Sequence, residues 1–586
     1  MDKTVDYAYF TRKMFIRSVL PAPLAGIGLA LAEIGDTILV GHAIGMDGLA
    51  AIGFISPLFL LAAFLVFGLS MGGAVVYSNL MHEGKKEEAL GIFNYFLRIS
   101  AVIGFGILAG GVLFENELLS FLGTHPDDGA VYQMAKSYLF YILLGIPFEI
   151  LMEVLTAYLR NDGEDTFSTV VQTATGVGNL IISALLLLFF DWGIAGCSFG
   201  FFISNAVAVL VSVGLLATRS EGQMALQRHA ASFKEAFKGL RLGFSTSSEY
   251  IFDAIFSLVV IRLLSDMAGT DGVAVFSIIE NLSVLFIFLY EFIGKTSQPF
   301  FSMFFAECNF KELHRFFRYA LGYALVVGTL SMLLIMVWPQ ILDLLFGLED
   351  IKDANQAYYA ARVFCAGSIF MGVALVLQNY LQSEEDERSA FLVVFMRRLG
   401  ASLPIALVLA EYGFYAFWFV YPLAEIVTLI ILYFYKRSRG ERHTIDPARV
   451  YSATFLGRVA DVAAQIDSAE AFAKTWGAGE KTCNTLRLAM EEICGLMNER
   501  AARQKGDPLL SQLTLIAQED GTLTLHLRDD GKELDPFRLS VEQADPESKP
   551  VEDIDVRALG LHAVKTHVRQ YLYRNYHGFN TVTLTV

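Results

Sequence analysis

Several acidic side chains fall inside stretches that are otherwise almost wholly apolar, and these residues carry most of the chemistry the chain could do. Glu33 and Asp36 lie one helical turn apart, late in an apolar run that begins near Arg12. Glu249 and Asp253 share a face in a later run, Glu280 sits in the next, Glu149 and Glu153 share a face in another, and Glu411 and Glu425 come near the end of the apolar region. A charged group in hydrocarbon costs roughly 2.5–3.5 kcal/mol on insertion scales, so each acid there requires a partner or a function. A desolvated carboxyl can take up a proton or hold a sodium ion and exchange it against a cationic substrate. Asp36, with Glu33 beside it, is the first candidate for this exchange; the alternative is an acid solvated near the outer interface. Asp253 and Glu280 are further candidates, unless they pair with Arg262 or with packing amides, while Glu149 and Glu153 approach Arg160.

Helices must position these acids. Twelve spans, each of about 20 predominantly apolar residues at ~1.5 Å rise, are enough to cross a hydrocarbon core of ~30 Å, and they fill the chain from Arg12 to Tyr435. Only helices satisfy their own backbone there. The longest connection, Arg219 to Arg241, divides the spans six and six. Lys and Arg alternate in density along the loops: 24 fall on the side of the amino terminus and only Lys136, Arg262, Lys352 and Arg362 on the other, with Arg397 and Arg398 counted among the 24. Both termini are therefore expected in the cytoplasm. Residues 1–440 hold 65 charged side chains and residues 441–586 hold 39, or 15% against 27%, so a polar domain begins near Arg439 to Pro447.

The fold class is thus mostly α, a polytopic membrane protein of twelve transmembrane helices in two six-helix lobes, followed by a small soluble α/β two-layer sandwich. The boundaries are 1–218 for the first lobe, 219–241 for a cytoplasmic connector, 242–437 for the second lobe, 438–450 for a linker and 451–586 for the soluble domain. The five cysteines show no paired spacing and are expected as reduced thiols, with no metal site. The polar start, Met1 to Arg17, has no small-residue cleavage site and is expected to carry no removable signal peptide. A net charge of −16 argues against nucleic acid as a partner.

The two halves repeat a pattern: Arg17, Asp36 and the turn Gly45-Met46-Asp47-Gly48 in the first, Arg241, Asp253 and Gly269-Thr270-Asp271-Gly272 in the second. Leu20-Pro21, Asp36, Gly41-His42-Ala43-Ile44-Gly45, Ala50-Ala51-Ile52-Gly53 before Pro57, Gly68-Leu69-Ser70-Met71-Gly72-Gly73, Tyr158-Leu159-Arg160-Asn161-Asp162-Gly163 and Asn179 together resemble the multidrug and toxic compound extrusion (MATE) transporters. The resemblance implies two lobes around a cleft, export driven by a proton or sodium gradient, and a role for Asn179 as hydrogen-bond donor to Asp36 or ion ligand. Ser183 stands where many relatives have an acid, which leaves the coupling ion and stoichiometry open.

From Tyr451 onward, helices over Ala460–Trp476, Gly479–Arg503 and Ala558–Gln570 and strands over Leu513–Gln518, Thr522–Asp529 and Thr581–Val586 read as an α/β sandwich. Leu486 to Glu492, the loop Asp529-Asp530-Gly531 and Ala558-Leu559-Gly560-Leu561 resemble the GHKL ATP-binding fold in its anti-sigma-factor-like form. The resemblance implies Glu492 at the catalytic-glutamate position, Asp529 and Gly531 at the adenine corner and Gly560 in the phosphate loop, with ATP or ADP as possible ligand. Leu496 replaces the magnesium-binding asparagine, and Asn498 turns about 120° off that face; Ala558 replaces the loop's first glycine. Weak nucleotide binding without hydrolysis is expected, the alternative being a degenerate domain kept for interactions, and the chain is expected to be a transporter, not an enzyme.

The expected function is cation-coupled export of lipophilic, cationic small molecules across the plasma membrane, with the bilayer and a cytoplasmic regulatory protein as possible partners. A lipid-linked saccharide flippase of the same superfamily is the alternative. A membrane sensor kinase fits less well, because only His443 lies between Tyr435 and Glu491 and paired dimerisation helices are missing.

Overall fold

The computed structural model describes residues 7–82, 85–162, 164–218, 231, 233–348, 354–439, 446–503, 510–518, 520–533, 535–537, 556–576 and 578–586. The first apolar run, expected as one span over 14–44, is three short helices: α1 (Tyr7–Ser18), α2 (Ala22–Glu33) and α3 (Gly35–Ala43). Pro21 stands at the first break, where a missing N–H and the ring's steric bulk stop α1 from continuing. Ile34, at φ −87° and ψ 5°, makes the second.

The first half continues with α4 (Met46–His82), α5 (Lys86–Leu113), α6 (Glu115–Leu122), α7 (Ala130–Asn161), α8 (Asp165–Leu188) and α9 (Ile194–Thr218). The second half is α10 (Phe233–Thr246), α11 (Ser248–Ala306), α12 (Phe310–Val337), α13 (Ile341–Phe346), α14 (Ala354–Ser383), α15 (Glu387–Phe395), α16 (Ser402–Ala410), α17 (Phe414–Phe417) and α18 (Val420–Arg439). Among the described residues ten helices are long and apolar enough to cross a membrane, α15 with α16 and α17 with α18 each counting as one. Helix α11 is 59 residues long and breaks at Gly269, whose φ of 63° and ψ of −150° lie outside helical space, within the turn expected at Gly269–Gly272. Apolar side chains such as Val102, Leu210 and Val337 are 72%, 70% and 80% exposed on the outside of the bundle, as a lipid-facing surface requires.

Arg397 and Arg398, expected in a cytoplasmic segment, lie instead inside the α15–α16 crossing. Met396–Gly400 is a π-helical turn between those helices, and the extra residue it accommodates turns both guanidinium groups into the bundle.

The two halves meet closely where α4 crosses α10. A Cβ on Gly243 would lie 1.9 Å from the carbonyl oxygen of Gly68, and one on Gly72 would lie 2.1 Å from that of Gly239. Such backbone approach is the means by which helices associate where no hydrophobic driving force acts between them.

The C-terminal domain begins with β1 (Val450–Leu456), then α19 (Val459–Thr475), α20 (Glu480–Arg503), β2 (Leu510–Ala517), β3 (Leu523–Asp529), α21 (Val556–His567), β4 (Gln570–Tyr576) and β5 (Phe579–Thr585). Its five strands pair antiparallel in the order β1-β2-β3-β5-β4. One face of the sheet, with Leu513, Leu515, Leu525, Leu527, Val582 and Leu584, packs on Ile466, Leu486 and Ile493 of the helices. The opposite face is polar, with Gln512, Thr514, His526 and Arg528, yet it is covered as well. The turn between α11 and α12 lies on it: Glu307 is ion-paired with Arg528, both 2% exposed, and Asn309 donates to Thr514 Oγ1 at 3.5 Å. Phe10 of α1 meets Phe579 edge-on at 5.6 Å between centroids.

The α4–α10 crossing yields a direct expectation. Gly243→Val should force the two backbones apart and cost about 1–3 kcal/mol, the range for overpacking a filled interior. A lowered melting midpoint of the detergent-solubilised protein, followed by tryptophan fluorescence, would register it; an unchanged midpoint would show that the crossing is slack.

Candidate functional site

Asp36 stands in the first turn of α3, just past the break at Ile34. Gly35 before it lets α3 approach α8, since a Cβ there would lie 2.6 Å from a methyl of Leu180. That approach brings Asn179 to the acid: its Nδ2 donates to Asp36 Oδ2 at 2.9 Å. Ser183, one turn further on α8, donates to Asn179 Oδ1 at 3.4 Å and to the carbonyl of Cys197 at 3.3 Å, so it steadies the amide and the α8–α9 contact. Asp36 Oδ1 is buried and has no hydrogen-bond partner among the described residues. Glu33, at the end of α2, is exposed. Helix α2, which ends in it, packs on α11 of the second half and also touches α8 of the first, so it lies at the seam between them.

Of the other acids of the first half, Glu153 is held by an amide and Glu149 is not. Gln172 Nε2 donates to both oxygens of Glu153, at 3.0 and 3.2 Å, and its own Oε1 accepts from Arg160 at 2.6 Å. Glu149 Oε2 is buried without a partner among the described residues.

The second half is arranged differently. Asp253 pairs with Arg398 at 2.9 Å, not with Arg262, which donates to the carbonyl of Phe121 at 2.9 Å. Arg397 Nε donates to both oxygens of Glu425, at 2.8 and 3.0 Å. Glu280 accepts from Ser257 at 3.1 Å, and Ser257 is in turn 3.2 Å from Ser56 of α4, so a hydroxyl chain links Glu280 to the first half. The two arginines escaped the sequence reading because it counted them as loop charges, although an Arg-Arg pair between two apolar runs was the signal available.

In the C-terminal domain the register Asp529↔Asn580 puts an amide beside the acid of the Asp-x-Gly loop. Asp529 Oδ1 accepts from Asn580 at 3.0 Å and from the Gly531 N–H at 2.8 Å. Its Oδ2 is buried and has no partner among the described residues, a free acceptor where the resemblance puts an adenine amino group. Burial pushes the Asp529 carboxyl up to about 6, with the two donors acting against it and Asp530 adding to it. Burial likewise pushes the nearby Cys494 thiol of α20 up to about 12, the Asp529 charge contributing.

Glu492 of α20 and Gly560 of α21 are brought together: a Cβ on Gly560 would lie 2.3 Å from the Glu492 carboxyl carbon. Leu496, one turn beyond Glu492, packs against the domain core. The side chains of Asn498 and Ala558 lie outside the described residues.

The MatE family pattern matches residues 21–186 and again residues 243–408, more than half of the chain. The chain belongs to the MatE family. A second pattern, the histidine kinase-like ATPase domain, matches residues 455–586. Among curated proteins this MATE transporter is similar to the "Probable multidrug resistance protein YoeA" of Bacillus subtilis, 21% identical over 71% of this chain and 91% of that one. It is also similar to a "FAD transporter" of Shewanella oneidensis, 21% identical over 65% of this chain and 83% of that one. Among solved structures the inward-facing conformation of a multidrug resistance MATE family transporter of the MOP superfamily aligns at a TM-score of 0.66, 18% identity, over 74% of this chain and 98% of that one. The likeness gives the MATE fold, and its double match accords with the repeat legible in the two halves. It leaves the C-terminal domain as an addition.

Asp529 supplies a stability expectation. Its folded value near 6 exceeds the ordinary 3.8, so its contribution to stability is full below about pH 3.8 and is lost as pH rises through about 6. Asp529→Asn keeps both acceptor bonds on Oδ1 and removes the buried charge. At neutral pH it should stabilise the domain by up to roughly 3 kcal/mol, and the gain should vanish in acid. Thermal unfolding across pH checks it; a destabilised variant at neutral pH would mean that the carboxylate has a counter-charge in solution.

Proposed function

We propose that this MATE transporter is a cation-coupled exporter of lipophilic, cationic small molecules, with Asp36 as the principal coupling group. Twelve crossings are counted by taking α1 to α3 together as one and α11 as two. The lobes are 1–218 and 242–437, joined by the connector 219–241; the linker 438–450 leads to the domain 451–586. The protein belongs in the plasma membrane with both termini in the cytoplasm. The single observation that carries the coupling reading is the Asp36 carboxylate, bound by Asn179 through one oxygen while the other is buried and has no partner among the described residues. Such an oxygen accepts a proton or ligates sodium without first displacing a resident cation. Glu33 at the seam, and Asp253 and Glu280 in the second lobe, are the remaining candidates for ion or substrate contact, Asp253 only after release from Arg398.

The C-terminal domain is proposed as a regulatory module that binds adenine nucleotide and does not hydrolyse it. Asp529 and Gly531 form the base corner, and Glu492 and Gly560 adjoin where phosphates would lie. Leu496, turned into the core, supplies no magnesium ligand.

A second reading, anionic cargo as in a flippase, is favoured by Arg397 and Arg398 within the bundle, and one relative is named for transport of an anionic dinucleotide. Against it, both guanidinium groups are paired with carboxylates. Competition by anionic compounds, and none by cationic ones, would favour this second reading.

Asp36→Asn should leave the protein folded in the membrane and reduce gradient-driven export of a cationic dye to that of protein-free vesicles, since an amide neither binds a proton nor balances sodium. Everted vesicles with proton and sodium gradients imposed separately provide the assay. Undiminished efflux at matched expression would remove Asp36 from the mechanism.

A further inference from the structure

Three consecutive residues of the C-terminal domain face three different places. Arg528 points through the polar face of the sheet to Glu307 at the α11–α12 turn. Asp529 points the opposite way, into the base corner, as strand alternation requires. Asp530 turns to α1, where its Oδ2 pairs with Lys13, while its Oδ1 accepts from the Leu510 N–H at 3.2 Å. Arg17 lies one helical turn after Lys13 on the same face of α1. It donates to the carbonyl of Gly578 at 3.4 Å and lies over the Phe579 ring at 5.5 Å. Phe579 precedes Asn580, the amide that holds Asp529. The two loops that frame Asp529, one at Asp530 and one at Gly578, are therefore gripped by two basic residues on one face of α1. The other face of α1 is tied to the second half, where Thr11 donates to Glu312 of α12 at 2.6 Å.

We propose that α1 is the element through which adenine-nucleotide occupancy of the C-terminal domain sets the rate of export. The proposal rests on the nucleotide-binding reading given above. Its physical content is linkage: a base bound on Asp529 Oδ2 fixes the positions of the Asp530 and Gly578 loops, and those positions have different energies with α1 held or displaced. Because α1 opens the span that carries Glu33 and Asp36, the nucleotide biases the step in which that span moves, and by reciprocity the state of the transporter changes nucleotide affinity.

The test uses the full-length protein in proteoliposomes, with dye efflux measured with and without saturating ADP on the domain side, and with mant-ADP binding measured on the same preparation. Lys13 is 42% exposed and Arg17 is exposed, so K13M and the double variant K13M/R17M should fold normally. The unaltered protein should bind mant-ADP and change its initial export rate by about fivefold or more, the lower end of ordinary coupling. The double variant should still bind mant-ADP and lose that response, with K13M intermediate. Binding of mant-ADP without any change of rate in the unaltered protein would overturn the coupling while leaving the nucleotide reading intact. A full response retained by the double variant would overturn α1 as the route. Absence of mant-ADP binding would overturn the nucleotide reading and the coupling with it.

Discussion

An ionised side chain taken out of water must meet an opposite charge or a set of hydrogen bonds, and the acids of this bundle meet that constraint by different means. In the second half Asp253 and Glu425 are neutralised by Arg398 and Arg397. A proton or cation arriving there competes with a guanidinium already in place. In the first half Asp36 and Glu153 are held by the amides of Asn179 and Gln172, which donate hydrogen bonds and bring no charge. Among the described residues no cationic side chain is paired with Asp36, and its second oxygen has no hydrogen-bond partner. Asp36 thus differs from Asp253 and Glu425 in its surroundings although the fold repeats.

The same constraint governs the contact between bundle and sheet. A face made of Gln512, Thr514, His526 and Arg528 would ordinarily be hydrated, and its burial is tolerable only because each polar group finds a partner. Glu307 accepts from Arg528 and from Thr514, and Gln512 Oε1 accepts from Arg528 at 2.6 Å. Burial lowers the pKa of His526, against the pull of Glu307, so Arg528 is the residue that supplies the positive charge. Removing one partner of such a pair leaves the other charged and dry, which typically costs about 3–5 kcal/mol. The sheet is thereby fixed on the α11–α12 turn in one register, a specificity that an apolar face would lack.

What the sequence made legible follows from what periodicity and composition encode. Long apolar runs, the turn at Gly269–Gly272, the soluble domain and the Asp529 loop all carry local signals, and the structure has helices, a break, a sheet and an acid–amide pair at those places. Three features had no such signal. The π turn at Met396–Gly400 depends on how α15 packs, so of two arginines that read as loop residues Arg397 is buried and Arg398 is half-buried against Asp253. Strand β1 went unread; it is an edge strand whose first three residues are only half-buried, too little burial to impose a clean alternation. Docking of the domain depends on Glu307, Lys13 and Arg17, whose partners lie more than two hundred residues away in sequence. The Asp36–Asn179 bond stands between these cases, because the resemblance supplied the pairing and Gly35 the approach that permits it.

Lys13 and Asp36 are separated by roughly 35 Å of helical chain at 1.5 Å per residue, and two breaks lie between them, so a push on α1 cannot reach the acid as it would along a rigid rod. The packing offers another route. Each segment of the broken span touches the second half: α1 binds α12 through Thr11 and Glu312; α2 lies so close to α11 that a Cβ on Gly26 would be 2.7 Å from the Phe288 carbonyl oxygen; and a Cβ on Gly41 of α3 would be 2.4 Å from that of Phe346. The span is thus a seam along the depth of the bundle, and its breaks let each segment follow the helix beside it. Any displacement of one half against the other has to move that seam, so Asp36 and the grip on the C-terminal domain respond to the same motion without a lever between them.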